Sequence, residues 1–279
     1  LESTDAHDGM TSRKKWRMQW NDAGTQAGLP QALFVKATPD RPDHRVTLAV
    51  LHMDELEANF YRSMQPELPQ LAPRAFHAES YPGGRHLILL EDLETQGCTP
   101  FWAKDHCGMD HVRAIARALA QLHCRYWESD RLSKDLSWVR PRTRRYGWPW
   151  LRDMTHVVRR AFLDTAGDDI LPGPLRELLQ LWDENSDRVF DYFETLPQTV
   201  LHGDCHLGNT FANPDGRAGL FDWQVMFRGN GLRDLAYICM SAMDNEERKA
   251  NEQDVFDIYN NALGDQGISL DRDQAWNHY

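Results

Sequence analysis

Apolar and polar residues alternate through the first third of the chain and recur at helical spacing through most of the rest. Residues 14–20 (KKWRMQW) and 32–37 (ALFVKA) read as strands, with residues 21–30 a polar loop between them. Residues 54–64 (DELEANFYRSM) read as a helix, with Leu56, Phe60 and Met64 on one face and Asp54 available as its cap. Residues 75–80 and 86–90 flank Tyr81-Pro82-Gly83-Gly84, which predicts an antiparallel hairpin. From Asp110 the period changes, and Val112, Ile115, Ala116, Leu119 and Leu122 mark a buried helix face. Leu175, Leu178, Leu179, Trp182, Val189, Phe190 and Phe193 mark a second one, on a helix opened by Pro174 and closed by Pro197. Val200-Leu201 and residues 219–221 are short apolar strand candidates. The change of pattern at residues 92–97 predicts two lobes in an α+β fold: residues 1–93, an antiparallel sheet with one helix, and residues 94–279, larger and mostly helical.

Length and charge narrow the classes open to such a chain. Its 279 residues suit one two-lobed domain or two small ones, with ample length to bury a core. A formal net charge of -11 argues against nucleic acid as a partner, because a phosphate backbone repels such a surface. Ten basic and thirteen acidic residues precede residue 93, a net of -3, which leaves -8 for the remainder. An acidic second lobe suits a cationic or amine-bearing substrate, and equally a merely solvated surface. Five cysteines without a C-x-x-C pair point to free thiols in a reducing cytoplasm. The doublets His106-Cys107 and His123-Cys124 match no common zinc spacing. No apolar run reaches transmembrane length and no signal peptide is visible, so no membrane partner is expected. A start at Leu1 and a polar, helix-like end at Tyr279 predict trimming at both termini.

The candidate chemistry is concentrated in residues 199–224 (TVLHGDCHLGNTFANPDGRAGLFDWQ). His202, Asp204 and Asn209 stand in the order H-x-D-x-x-x-x-N, and Asp222 follows a short apolar run. This is the spacing of a phosphoryl-transfer site using ATP and Mg²⁺, where positioning and charge neutralisation matter most. Asp204 is the candidate base for an acceptor hydroxyl. Asn209 offers a neutral oxygen and Asp222 an anionic one, both suited to Mg²⁺. Lys36, flanked by apolar residues in a strand, would face the nucleotide phosphates, and Glu57 on the following helix would hold it. Each signal alone is weak: Asp and Asn recur five apart by chance, and a strand lysine is usually an edge residue. Their order along the chain makes them strong together.

With those residues in view, the chain resembles the aminoglycoside phosphotransferase and choline kinase-like group of the protein-kinase-like fold. It looks most like the ecdysteroid-kinase-like and uncharacterised bacterial members. The resemblance rests on residues 202–209 (HGDCHLGN), 221–224 (FDWQ) and 231–237 (GLRDLAY), and extends through residues 33–37, 57–61 and 89–93. It implies a bilobal fold with a nucleotide-binding first lobe and a catalytic, acceptor-binding second one. It further implies Asp204 as base, Asn209 and Asp222 as Mg²⁺ ligands, and Lys36 with Glu57 at the phosphates of ATP. The backbone of Glu91, Asp92 and Leu93 would be the hinge for the nucleobase. Asp234 would brace the catalytic loop, with His202 and His206 supporting it. The phosphate-covering loop departs from the glycine-rich pattern: residues 5–12 hold one glycine, Gly9, with Thr11 and Ser12 as hydroxyl donors.

The acceptor is expected to be a small molecule with a hydroxyl. Tyr146, Trp148 and Trp150, beside Arg140, Arg142, Arg144 and Arg145, would either wall a flat or quaternary-amine acceptor or pack between helices. Two other readings remain open. One is a metal-dependent phosphoester hydrolase using His202, Asp204 and His206. The other, a nucleotide-binding pseudokinase, requires loss of residues that are present here. A protein kinase is disfavoured, because Gly203 stands where H-R-D has its arginine and no A-P-E-like segment follows Asp222.

Overall fold

The computed structural model describes residues 2–5 and 9–279. The chain opens with five antiparallel strands: β1 (Glu2–Asp5), β2 (Ser12–Arg17), β3 (Ala32–Ala37), β4 (Ala75–Tyr81) and β5 (Arg85–Glu91), in the order β1-β2-β3-β5-β4. The β4–β5 turn is made at residues 82–84, where Gly83 (φ 82°) and Gly84 (φ 71°) take the left-handed backbone that glycine allows without strain. Arg13 lies opposite Lys36, Lys15 opposite Phe34, and Phe34 opposite Leu90. Side chains alternate along a strand, so these five share one face of the sheet.

Three helices, not one, accompany this sheet. Residues 21–30, expected as loop, contain α1 (Asp22–Gln26), where the Asn21 side chain accepts a hydrogen bond from the Gly24 amide at 3.0 Å. Its five residues are too few and too polar to leave a periodic signal. The expected helix, α3 (Met53–Ser63), follows α2 (Pro42–Leu51) almost directly. His52 separates them with a left-handed backbone (φ 52°, ψ 33°). Asp54 is therefore not the cap; it is buried inside the first turn, and burial pushes its carboxyl above the usual range. Strand β2 also ends earlier than expected, because the Trp20 indole turns back to donate to the Pro30 carbonyl at 2.9 Å.

The rest of the chain is mostly helical. The central helix α4 (Met109–Tyr126) packs on α7 (Leu232–Ala242) and α8 (Asn245–Gly264), and its predicted face is buried throughout. Short strands run between the helices. Strand β6 (Thr99–Pro100) pairs with β8 (Thr210–Ala212), which pairs with β9 (Ala218–Leu220), and β7 (Thr199–Leu201) pairs with β10 (Phe227–Gly229). Helices α5 (Trp148–Thr165) and α6 (Gly173–Thr195) pack on each other, and α9 (Arg272–His278) ends the chain.

The apolar stripe of α6 is only partly covered. Leu175, Leu178 and Trp182 are 51%, 61% and 39% exposed, while Leu179, Val189, Phe190 and Phe193 are half-buried. The stripe is wider than the contact that α5 and the turn at Arg142–Arg144 offer.

One contiguous core joins sheet and helices, running from Phe60, Ile88 and Leu90 through Ile115 and Leu119 to Leu207 and Trp223. Trp223 stacks on Phe60 (centroids 3.8 Å apart, 9° between planes), and the Leu220 amide donates to the Leu71 carbonyl at 2.7 Å. These contacts fix residues 220–223 against α3 and the chain that follows it. All five cysteines are free thiols. Among the described residues no helix is long and apolar enough to cross a membrane.

Candidate active site

The loop between β7 and β8 carries the H-x-D-x-x-x-x-N residues, and a buried carboxylate holds it from below. Asp234, in the first turn of α7 and fully buried, accepts the amides of His202 (2.6 Å) and Gly203 (3.2 Å). Burial alone would raise its pKa. His123, whose Nε2 is 3.7 Å away, and Arg233 outweigh that and hold the carboxyl low. Gly203 has φ 84°, and a Cβ there would meet the Val225 carbonyl at 2.5 Å, so no other residue fits. Both imidazole nitrogens of His202 are committed: Nδ1 accepts from the Asp204 amide (3.3 Å) and Nε2 donates to the Phe221 carbonyl (2.9 Å). One donor and one acceptor define a neutral ring. Burial favours that form, pushing its pKa below the ordinary histidine value against the pull of Asp234.

Asp204 stands at the open edge of this loop. The Tyr237 hydroxyl donates to its Oδ1 at 3.1 Å. The Asn209 amide nitrogen donates to its backbone carbonyl at 2.9 Å and lies 3.3 Å from Oδ2. His206 Nε2 is 3.7 Å from Oδ2, beyond hydrogen-bond reach, so His206 lies beside the carboxylate without clamping it.

Across the cleft, Lys36 Nζ sits 2.6 Å from Glu57 Oε1 and 2.8 Å from Asp222 Oδ1. Arg13 Nη2 is 2.9 Å from the other oxygen of Asp222. Burial pushes the Glu57 carboxyl up, with Lys36 opposing. Asp222 is as deeply buried, but Lys36 and then Arg13 outweigh the burial and hold it below the usual carboxylate range. Asp222 also has a left-handed backbone, φ 67°, which turns its side chain out of the line of β9.

Between the two walls lies a cavity of about 610 Å³. Lys36, Asp204, Asn209 and Asp222 all line it, as does the expected hinge, Glu91, Asp92 and Leu93. Asp92 caps the turn Leu93–Gln96, its Oδ1 accepting from the Glu94 amide at 3.1 Å. Glu57 stands behind Lys36 and does not line the cavity.

Three more expected residues are not brought there. Gly9, Thr11 and Ser12 do not line the cavity, and residues 6–8 of the expected loop lie outside the described residues. Thr11 is buried, and its hydroxyl has no hydrogen-bond partner among the described residues. Strand alternation from Ser12 instead turns Arg13 and Lys15 inward. The aromatic trio is likewise elsewhere. Tyr146 stacks on His52 (3.8 Å, 22°), Trp148 is buried edge-on against Phe190, and Trp150 is exposed. Phe101 and Trp102, the latter 59% exposed, supply the cavity's aromatic wall through the β6–β8 pairing. The hydrolase arrangement does not form either, since His202 is spent on the backbone. Among the described residues no three His, Cys, Asp or Glu side chains are placed to share a metal.

Sequence reasoning missed Arg13, Lys15, Phe101, Trp102 and Tyr237. A signal existed for the last: Tyr237 lies three residues after Asp234, on the same helical face.

A profile of the ecdysteroid kinase-like family matches residues 12–271. No curated protein sequence gives a significant match. Among solved structures, an aminoglycoside phosphotransferase of Streptomyces rimosus is 18% identical over 97% of this chain and 88% of its own, with a TM-score of 0.53. The same enzyme in complex with ADP and streptomycin is 20% identical over 87% and 83%, with a TM-score of 0.51. A macrolide 2'-phosphotransferase of Brachybacterium faecium is 17% identical over 96% and 78%, with a TM-score of 0.55. At such identities the likeness establishes the fold, an antiparallel sheet set against a mostly helical remainder, as the sequence led us to expect. The profile covers nearly the whole chain, which therefore belongs to the ecdysteroid kinase-like family.

Proposed function

We propose that this protein is a small-molecule kinase that transfers the γ-phosphate of ATP to a hydroxyl, with residues 1–93 as the nucleotide-binding lobe and 94–279 as the catalytic and acceptor-binding lobe. The observation that carries this reading is a single cavity with Asp204 on one wall and the Lys36–Asp222 pair on the other, with Glu57 holding Lys36 from behind. Asp204 orients the acceptor hydroxyl and takes its proton as that oxygen bonds the γ-phosphorus. The bond from the γ-phosphorus to its bridging oxygen breaks, and ADP leaves. Lys36 neutralises phosphate charge, and Glu57 keeps its ammonium in place.

The donor set fits Mg²⁺. Asn209 commits its amide nitrogen to Asp204, which leaves its carbonyl oxygen for a cation, and Asp222 adds an ionised carboxylate on the same cavity. When bound, Mg²⁺ would neutralise charge on the transferring phosphate. Glu91 to Leu93 would hold the nucleobase through their backbone. Two solved enzymes of this fold are named as an aminoglycoside phosphotransferase, captured with ADP and streptomycin, and a macrolide 2'-phosphotransferase. The family description names ecdysteroids, which are steroid alcohols. Trp102 and Phe101 give a flat acceptor of that kind a wall to lie on.

The test is ATP-dependent phosphate transfer, with Mg²⁺ present, over a panel of steroid alcohols, amino sugars, macrolides and choline-like amines. Phosphorylation of at least one acceptor at an alcohol oxygen is the expected result. Release of phosphate from phosphoesters without ATP, and no transfer to any alcohol, would overturn the proposal.

A further inference from the structure

The segment before β2 holds one glycine, Gly9, and β2 turns a cationic side chain, Arg13, onto the cavity face. Arg13 and Lys36 lie directly opposite each other on β2 and β3, with both side chains on the cavity face. Like charges in that position repel, and an anion between them relieves the repulsion. Asp222 is that anion here, one oxygen on Lys36 at 2.8 Å and the other on Arg13 at 2.9 Å. A carboxylate has two oxygens and cannot serve both cations and a metal ion at full strength. A chain of phosphates can, since each phosphate offers several oxygens to a guanidinium fork. Gly9 adds a second observation. A Cβ there would lie 3.1 Å from the Arg13 guanidinium, so its missing side chain makes room for Arg13 beside the cavity.

We propose that Arg13 is a phosphate-binding residue, which with Lys36 grips the nucleotide phosphates by side chain in place of a glycine-rich loop. The inference rests on the proposed use of ATP and goes beyond it, because neither the motif nor the family resemblance assigns a role to this position. Arg13 is tied to Asp222 until a cation takes that carboxylate, and the guanidinium then turns to the phosphates that arrive with it. The exchange conserves charge pairing, so both cations keep an anionic partner throughout.

The experiment is calorimetric titration of the full chain with Mg·ATP and, separately, with adenosine, for wild type, Arg13→Gln and Arg13→Lys. Arg13→Gln should weaken Mg·ATP by roughly 10- to 100-fold, the range of a charge-assisted hydrogen bond, and leave adenosine unchanged. Arg13→Lys, which keeps charge but loses the fork, should fall between. Arg13→Lys also preserves the bridge to Asp222, so it reports even if the Gln variant does not fold. Equal Mg·ATP affinity in all three proteins would overturn the inference, as would an equal loss for adenosine and ATP. Failure of the wild type to bind Mg·ATP at all would instead overturn the kinase reading.

Discussion

Asp204 and Asp222 look alike in the sequence, yet their surroundings differ in kind. Asp222 is buried between two cations, which hold it ionised, as the proposed Mg²⁺ role requires. Asp204 is a third exposed and accepts from neutral donors, Tyr237 and Asn209, which orient its carboxylate at the cavity. A base needs the second environment, because it has to gain a proton during turnover. Tyr237 is the positioning residue in this scheme. Its hydroxyl is held protonated by burial and by Asp204, both of which raise its pKa, so it remains a donor across the physiological range. Replacing Tyr237 with Phe should lower kcat by roughly 10- to 100-fold, the worth of one hydrogen bond to a charged acceptor, with Mg·ATP affinity unchanged. Steady-state kinetics beside nucleotide titration checks this, and a parallel loss of nucleotide affinity would contradict a role confined to Asp204.

Elements carry their own tests. His86 on β5 is buried, and neither ring nitrogen has a hydrogen-bond partner among the described residues. Burial, then the charge of Lys36, pushes its pKa down to about 4. An unfolded histidine takes its proton near pH 6.5, so between about 6.5 and 4 the unfolded state binds more protons. Acidification through that window therefore lowers stability through His86. The variant His86→Leu should lose less stability than wild type between pH 6.5 and 4.5, by up to about 1.4 kcal/mol per pH unit. Urea unfolding at the two pH values measures it, and identical losses in both proteins would contradict the assignment. Helices α4 and α6 offer a second contrast, since both look amphipathic in sequence. Leu119 on α4 is fully buried and Leu178 on α6 is 61% exposed. Leu119→Ala should cost about 2–5 kcal/mol and Leu178→Ala less than about 0.5 kcal/mol in the same unfolding assay. Comparable costs would mean that the α6 stripe is covered after all.

At the scale of the molecule, what was legible depended on how far apart in the chain the partners lie. Asp204, Asn209 and Asp222 fall within one short stretch that runs from β7 through the β8–β9 hairpin, so local geometry carries their spacing into space. Lys36 on β3 and Glu57 on α3 are 21 residues apart, with only α2 between their elements, and their contact could be read from order along the chain. Arg13 and Lys15 needed the register of β2 on β3, which no periodicity announces. Phe101 and Trp102 needed the pairing of β6 with β8, more than a hundred residues apart in sequence. Helix α2 was missed because only Leu48 of it is buried, so it presents no apolar face to read, and the α6 stripe misled because periodicity predicts a face, not what covers it. The fold itself was legible, since the shift from alternating to helical patterning survives all of these local errors. Its core ties Phe60 of the sheet region to Trp223 beside Asp222, so the two walls of the cavity are held by one packed unit. The most direct measurement compares wild type and Asp204→Ala, following phosphate transfer from ATP to an acceptor alongside Mg·ATP binding. Transfer should fall by at least about 100-fold with binding kept within about twofold; transfer that survives the substitution would contradict Asp204 as the base.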